Sequence, residues 1–167
     1  MPLPQEFDHN EWFLLISLVL IYGVMFLLPK HIPTTITILV MIFSILSARF
    51  LDHLMAGPTI NFYDMMDTGK YDLTDVFLYF LYGPFGYFFI YVYEKFNIQG
   101  LAVLFYILIC SLFSIGYEWL NVHFDVFNYK NWALRYSFTV YMGVQAITIL
   151  FYHFVKNRYE LLKASNT

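Results

Sequence analysis

Charged side chains are scarce in this sequence, at 13% of 167 residues, about half the share of a soluble globular domain. With 60% of residues hydrophobic, so little charge cannot clothe a surface facing water on all sides. Basic residues are the scarcer kind: nine Lys and Arg against twelve Asp and Glu leave a net charge of −3. They form no run able to follow a phosphate backbone, which excludes nucleic acid as a partner. Cysteine occurs once, at Cys110, so neither an intramolecular disulfide nor a cysteine-based metal cluster is available. Its place inside an apolar stretch marks it as a small packing residue. No HExxH, Walker loop, GxSxG or cofactor fingerprint occurs, so no catalytic residue, metal or cofactor is assigned. The opening MPLPQEFDHNEW has no Lys or Arg, whereas a secretory signal opens on a basic stretch and closes at small residues. The first apolar segment is therefore expected to stay in the mature protein.

What is abundant is apolar sequence, with a mean hydropathy of +0.60. Five stretches, each near the roughly 20 residues that cross a hydrocarbon core of about 30 Å, predict helices over about 12–29, 34–55, 73–94, 101–121 and 133–158. Thr34 and Thr35, after Pro33, are read as N-caps of the second. Backbone groups in lipid must pair within their own segment, so helices are expected and short alternating barrel strands are not. The fold class is all-α: one domain over 1–167, an integral membrane bundle of five transmembrane helices with the lipid bilayer as its partner. Connections at 30–33 and 94–100 are short, while 57–72 and 121–132 are long and rich in acids and aromatics. The two longer loops fall on one side, with the N-terminus, and offer a possible protein partner its surface. No internal repeat is present, which counts against an inverted-repeat transporter.

Charge separates the two ends. The loop end carries Lys70 and Lys130, with Arg49 and Arg135 at helix ends, against Lys30, Lys95, Lys156, Arg158 and Lys163 at the other. The positive-inside rule then places the C-terminus in the cytoplasm and the N-terminus outside the cell membrane. Ten of the twelve acids, Glu6, Asp67 and Asp72 among them, gather at the loop end, making it the chemically distinctive face.

Following each helix in its direction of travel brings Arg49, Asp52, His53, Asp75, Glu118 and Arg135 into one layer at that end. Charges at such depth are costly and turn toward partners inside a bundle. Asp75, Tyr79, Tyr82 and Gly86 form one helical stripe, Ser111, Ser114 and Glu118 a second, and Arg135, Thr139, Met142 or Gly143, and Ala146 a third. Small and hydroxyl residues favour close helix contact, so the three stripes are expected to face one another. Arg135 is expected to pair with Glu118, and Arg49 with Asp75 or Asp52. The resulting polar cluster of Arg49, Asp52, His53, Asp75, Tyr79, Tyr82, Glu118 and Arg135 is read either as a network ordering the bundle or as a functional pocket.

Other residues carry two readings as well. Gly83-Pro84 inside the third helix is a fixed kink or a hinge, with a freed carbonyl needing a donor. Trp12, Trp119 and Trp132 are read as an interfacial belt. Tyr79, Tyr82, Tyr87 and Tyr91 lie where each hydroxyl must find an acceptor. Asp52-His53 and His123-Phe124-Asp125 offer metal-ligand atoms, at spacings diagnostic of no metal.

Glu118-Trp119-Leu120, Val126-Phe127, Tyr129-Lys130, Trp132 and Tyr136-Ser137, with the earlier LYGPFGYFFIY, are similar to a family of small uncharacterised membrane proteins of endospore-forming Gram-positive bacteria. The resemblance covers nearly the whole chain. It implies a multi-pass protein of the cell membrane and brings no activity or catalytic residues. The residues themselves favour a non-enzymatic sensor, scaffold or partner subunit with a polar charged site at the outer end. The alternative is a small transporter or membrane enzyme acting on a small polar or lipid-headgroup substrate through Glu118 or Asp75. A water-filled cavity continuing past Tyr82 would favour transport, and a sealed lower half interaction.

Overall fold

The computed structural model describes residues 7–66 and 73–165. Glu6, Asp67, Lys70 and Asp72, counted above for charge, lie outside the described residues. Five helices long and apolar enough to cross a membrane make up the chain: α1 (His9–Leu27), α2 (Thr34–Met55), α3 (Leu73–Lys95), α4 (Leu101–His123) and α5 (Leu134–Ser165). Two short strands, β1 (Tyr63–Met65) and β2 (Phe127–Tyr129), lie in the long connections.

Helix ends follow local chemistry. The first helix begins at His9, earlier than Trp12, because Asp8 and Glu11 form a capping box: Asn10 donates to the Asp8 side chain at 3.2 Å, and the Asp8 amide donates to Glu11 at 3.0 Å. Thr34 and Thr35 do not cap α2. Pro33 holds the cap position with φ −53, no side chain bonds there, and both threonines are already helical. The last helix runs for 32 residues, about 48 Å at 1.5 Å per residue, so its basic final turns extend past the far end of the bundle.

One helix organises the packing. Buried residues make up 56% of the apolar window of α3, against 11–22% in the other four. It lies between α1 and α2, and α5 joins α2 to α4. Close approach of α2 and α3 depends on Gly86, where an added Cβ would stand 1.8 Å from Ser44 Oγ and 2.7 Å from Ser44 Cβ. Rings separate α3 from α4 instead, with Phe85 against Tyr117 at 4.8 Å and Phe89 against Tyr106 at 5.0 Å. Within the α3 stripe, Gly86 and Tyr79 therefore face α2, where the spacing led one to expect α4 and α5, while Tyr82 lines a cavity shared with α4 and α5.

The helix α3 continues through Pro84. Proline leaves the carbonyl four residues back without its helical donor; that carbonyl belongs to Phe80 and accepts the Tyr22 hydroxyl from α1 at 3.0 Å. A donor from a neighbouring helix thus makes the interruption a fixed part of the packing. The deeper tyrosines are less uniform. Tyr79 donates to Met65 Sδ at 3.7 Å. The Tyr91 hydroxyl has no hydrogen-bond partner among the described residues, its ring being held by Tyr87 and the Lys95 ammonium, each at 5.6 Å.

The long loops are not independent. β1 and β2 pair antiparallel, Tyr63 opposite Tyr129, Asp64 opposite Asn128 and Met65 opposite Phe127. Lys130 reaches Asp64 at 2.7 Å, and the amides of Lys130 and Asn131 both donate to the Phe62 carbonyl, at 2.9 and 3.0 Å. This ladder qualifies the all-α expectation and places both long connections at one end of the bundle. At the far end Lys156 pairs with Glu94, and Tyr93 meets His153 Nε2 at 2.9 Å.

Gly86→Ala should cost about 1–3 kcal/mol through overpacking against Ser44. Gly143→Ala, where nothing lies within 4 Å of the added carbon, should be neutral or stabilising by up to about 1 kcal/mol. Unfolding midpoints of the two variants in the same detergent measure the contrast; equal midpoints would contradict the α2–α3 contact.

Candidate functional site

Asp52 lies in the last turn of α2 and Glu118 near the end of α4, 7% and 6% exposed respectively. Both line one cavity of about 100 Å³ walled by α2, α3, α4, α5 and the ladder. A buried carboxylate is tolerated when donors are aimed at it, and the ladder supplies them. Tyr63, from β1, donates its hydroxyl to Asp52 Oδ1 at 2.6 Å. Tyr129, from β2, donates to Glu118 Oε1. Ser137, in the first turn of α5, donates to the same Oε1 at 2.6 Å and accepts from the Trp132 indole at 2.8 Å.

The direction of these bonds has an electrostatic cause. Burial pushes the Tyr63 phenol up, with the Asp52 charge and hydrogen bond adding to it. Burial likewise raises the Tyr129 phenol, reinforced by Glu118. Both phenols keep their protons at ordinary pH and serve as donors. Because Tyr63 and Tyr129 are also partners in the ladder, one two-stranded contact aims a hydroxyl at each acid. The second oxygens, Asp52 Oδ2 and Glu118 Oε2, are buried and accept no hydrogen bond among the described residues.

Of the residues expected in the cluster, Asp52, Tyr82 and Glu118 line the cavity. Arg49 and Tyr79 meet each other beside it, with a hydrogen bond of 3.4 Å and the guanidinium 5.2 Å from the ring centre. Asp75 is buried in the first turn of α3 and is not part of the cavity wall. His53 is exposed on the last turn of α2. Among the described residues no group of three or more His, Cys, Asp and Glu side chains converges as a metal shell would, and the His123 ring stacks on Trp119 at 5.8 Å.

The expected Arg135–Glu118 pair is not formed. Arg135 is exposed and lies over Tyr136 at 5.0 Å, donating to its hydroxyl at 3.1 Å. Glu118 takes uncharged donors instead. Only the lower part of the third stripe turns inward: Arg135 and Thr139 are exposed, whereas Met142 and Ala146 pack against the core. The face toward α4 carries Ser137 against Glu118 and Gln145 against Ser111 (3.1 Å) and Ser114 (3.3 Å). Two residues along a helix is about 200°, so at the loop end of α5 the face that meets Glu118 is nearly opposite the one that carries Arg135. A guanidinium at a helix end reaches water easily, which removes any need for it to turn inward.

Tyr63, Tyr129, Trp132, Ser137 and Tyr141 are the site residues that spacing did not single out. A signal for two of them existed: Asn61-Phe62-Tyr63 and Phe127-Asn128-Tyr129 carry the same three residue types, the first two transposed, in two loops at the same end. Ser137, Tyr141, Gln145, Thr148 and Tyr152 also recur at helical steps. Trp132 is half-buried and serves the site, whereas Trp12 and Trp119 are 57% and 56% exposed as belt residues would be.

Tyr129→Phe should lower stability by about 1.5–3 kcal/mol by removing a donor from a buried carboxylate. Arg135→Gln should stay within about 0.5 kcal/mol of the parent. Thermal unfolding of the purified chain reads both, and a costly Arg135→Gln would restore the ion pair. Compared with known protein families, curated proteins and solved structures, the chain matches none, so the reading of this site rests on its own geometry.

Proposed function

We propose that this chain is a multi-pass cell-membrane protein that holds a small polar ligand at the loop end of its bundle and acts as a sensor or partner subunit, without chemistry of its own. The observation that carries this reading is that the cavity has a floor. Its walls extend no deeper than Tyr82, Tyr141 and Val144. Beneath them lies a continuous core that includes Tyr87, Ile90, Ile149 and Tyr152. A transporter needs a route past that level, where this core packs. Asp75, invoked for proton handling in the alternative reading, is outside the cavity wall.

The excess of basic residues at the far end supports a cytoplasmic C-terminus, an outward loop end and an external N-terminus. The resemblance to small membrane proteins of endospore-forming Gram-positive bacteria supports the cell membrane as the location. The exposed rim of the ladder, with Lys130 and Asn128, supplies a surface for a protein partner.

Single cysteines in a Cys110→Ala background test both points. Val144→Cys, at the cavity floor, should react with a small membrane-impermeant thiol reagent added from the loop side, and Thr148→Cys, one turn deeper and 3% exposed, should not react from either side. Reaction at Thr148→Cys would indicate a conduit and overturn the reading. In intact cells Asn61→Cys should label without permeabilisation; labelling only afterwards would reverse the orientation.

A further inference from the structure

Basic side chains outnumber acids at the far end of the bundle. Lys30, Lys95, Lys156, Arg158 and Lys163 lie there against Glu94 and Glu160, and Lys156 is paired with Glu94. Two N–H-bearing groups at this end meet one ring: the Lys95 ammonium lies 5.6 Å from the centre of Tyr91, and the His31 imidazole 6.0 Å from it. Tyr91 is 3% exposed, so its ring is fixed by the core around it. Lys30 and His31 belong to the short connection between α1 and α2, and Leu28 and Ile32, on either side of this pair, pack with the same core cluster as Tyr91. The connection is thereby held against the end of α3, with Lys30, His31 and Lys95 all exposed.

The surroundings narrow the choice of partner. Ammonium groups and an imidazole N–H donate to oxyanions, and the flexible stems of two lysines let them close on one from two sides. Beside them the chain offers apolar surface. Phe26 and Leu27, in the last turn of α1, are 78% and 85% exposed, and Phe96, whose ring lies 5.9 Å from the Lys95 ammonium, is 68% exposed. A soluble anion would leave that surface uncovered. A phospholipid matches both parts, since its acyl chains run along the helices and its phosphate stands at their ends. Basic residues placed at that level also gain from the negative potential of an anionic bilayer surface.

We infer that Lys30, His31 and Lys95 form a headgroup site for an anionic phospholipid. The two ammonium groups and the imidazole N–H donate to its phosphate oxygens, and its chains cover Phe26, Leu27 and Phe96. A lipid held there bridges the α1–α2 connection and the end of α3, so binding ties three helices together at the end opposite the ladder. The site is separate from the loop-end cavity, and the failure of either reading leaves the other standing.

The test uses the full-length protein in an uncharged detergent at constant ionic strength. Its unfolding midpoint is titrated with dioleoylphosphatidylglycerol, dioleoylphosphatidylcholine and inorganic phosphate. Phosphatidylglycerol should raise the midpoint saturably. Phosphatidylcholine has the phosphate and the chains without net charge, and inorganic phosphate has the charge without chains, so neither should match it. Lys30→Gln combined with Lys95→Gln should raise the half-saturating concentration of phosphatidylglycerol about tenfold or more. Arg158→Gln combined with Lys163→Gln removes the same charge from the same end and should leave it unchanged. All four positions are exposed, so both variants should fold; if they do not, the three-ligand comparison on the parent protein decides alone. An equal loss in the two double variants would assign the effect to overall charge, an equal response to phosphatidylcholine to the chains, and an equal response to inorganic phosphate to a free anion. Each of these overturns the inference, as does the lack of any response to phosphatidylglycerol.

Discussion

Everything at the loop end depends on how two acids are kept in an apolar bundle. A carboxylate among hydrocarbon and rings is stable only where donors meet it. Here the hydrogen bonds come from phenols and a serine, and Glu118 does not take the arginine expected for it. Neutral donors solve the problem locally: each bond is short and directional, and no second charge has to be desolvated. Arg135 lies over Tyr136 instead, and the Arg49 guanidinium lies over Tyr79.

This arrangement gives the ladder a purpose beyond closing the end of the bundle. Two strands of three residues bury little and would be marginal alone. They persist because Tyr63 and Tyr129 are anchored on Asp52 and Glu118, while Lys130 and Asp64 tie the outer edge. The acids hold the strands, and the strands hold the acids. Tyr63 and Tyr129 also line the cavity, so its wall and the ladder share the same two phenols.

Below the site the logic changes from directed bonds to packing. Glycine at Gly86 lets α2 and α3 approach closely, and the Tyr22 hydroxyl satisfies the carbonyl that Pro84 releases. Small residues and an interhelical hydrogen bond are what hold helices together where solvent supplies no hydrophobic drive. That packing fills the lower half around Ile90 and Tyr152.

Composition and periodicity by themselves determined the five helices, the uneven loops and the end of the bundle where the acids collect, because hydropathy over some twenty residues and the direction of each helix are linear properties of the chain. Glu118 and Asp52 were legible as buried acids for the same reason. Which residues answer them was not. Arg135 and Ser137 are two positions apart, so half a turn of rotation decides between an ion pair and a serine donor, and that rotation is set by how α5 packs on α2 and α4. Tyr63 and Tyr129 lie 66 positions apart, and only a register formed between two loops puts one phenol on each carboxylate. Local sequence knows a residue's depth; its partner is chosen by neighbours that only the folded bundle brings near.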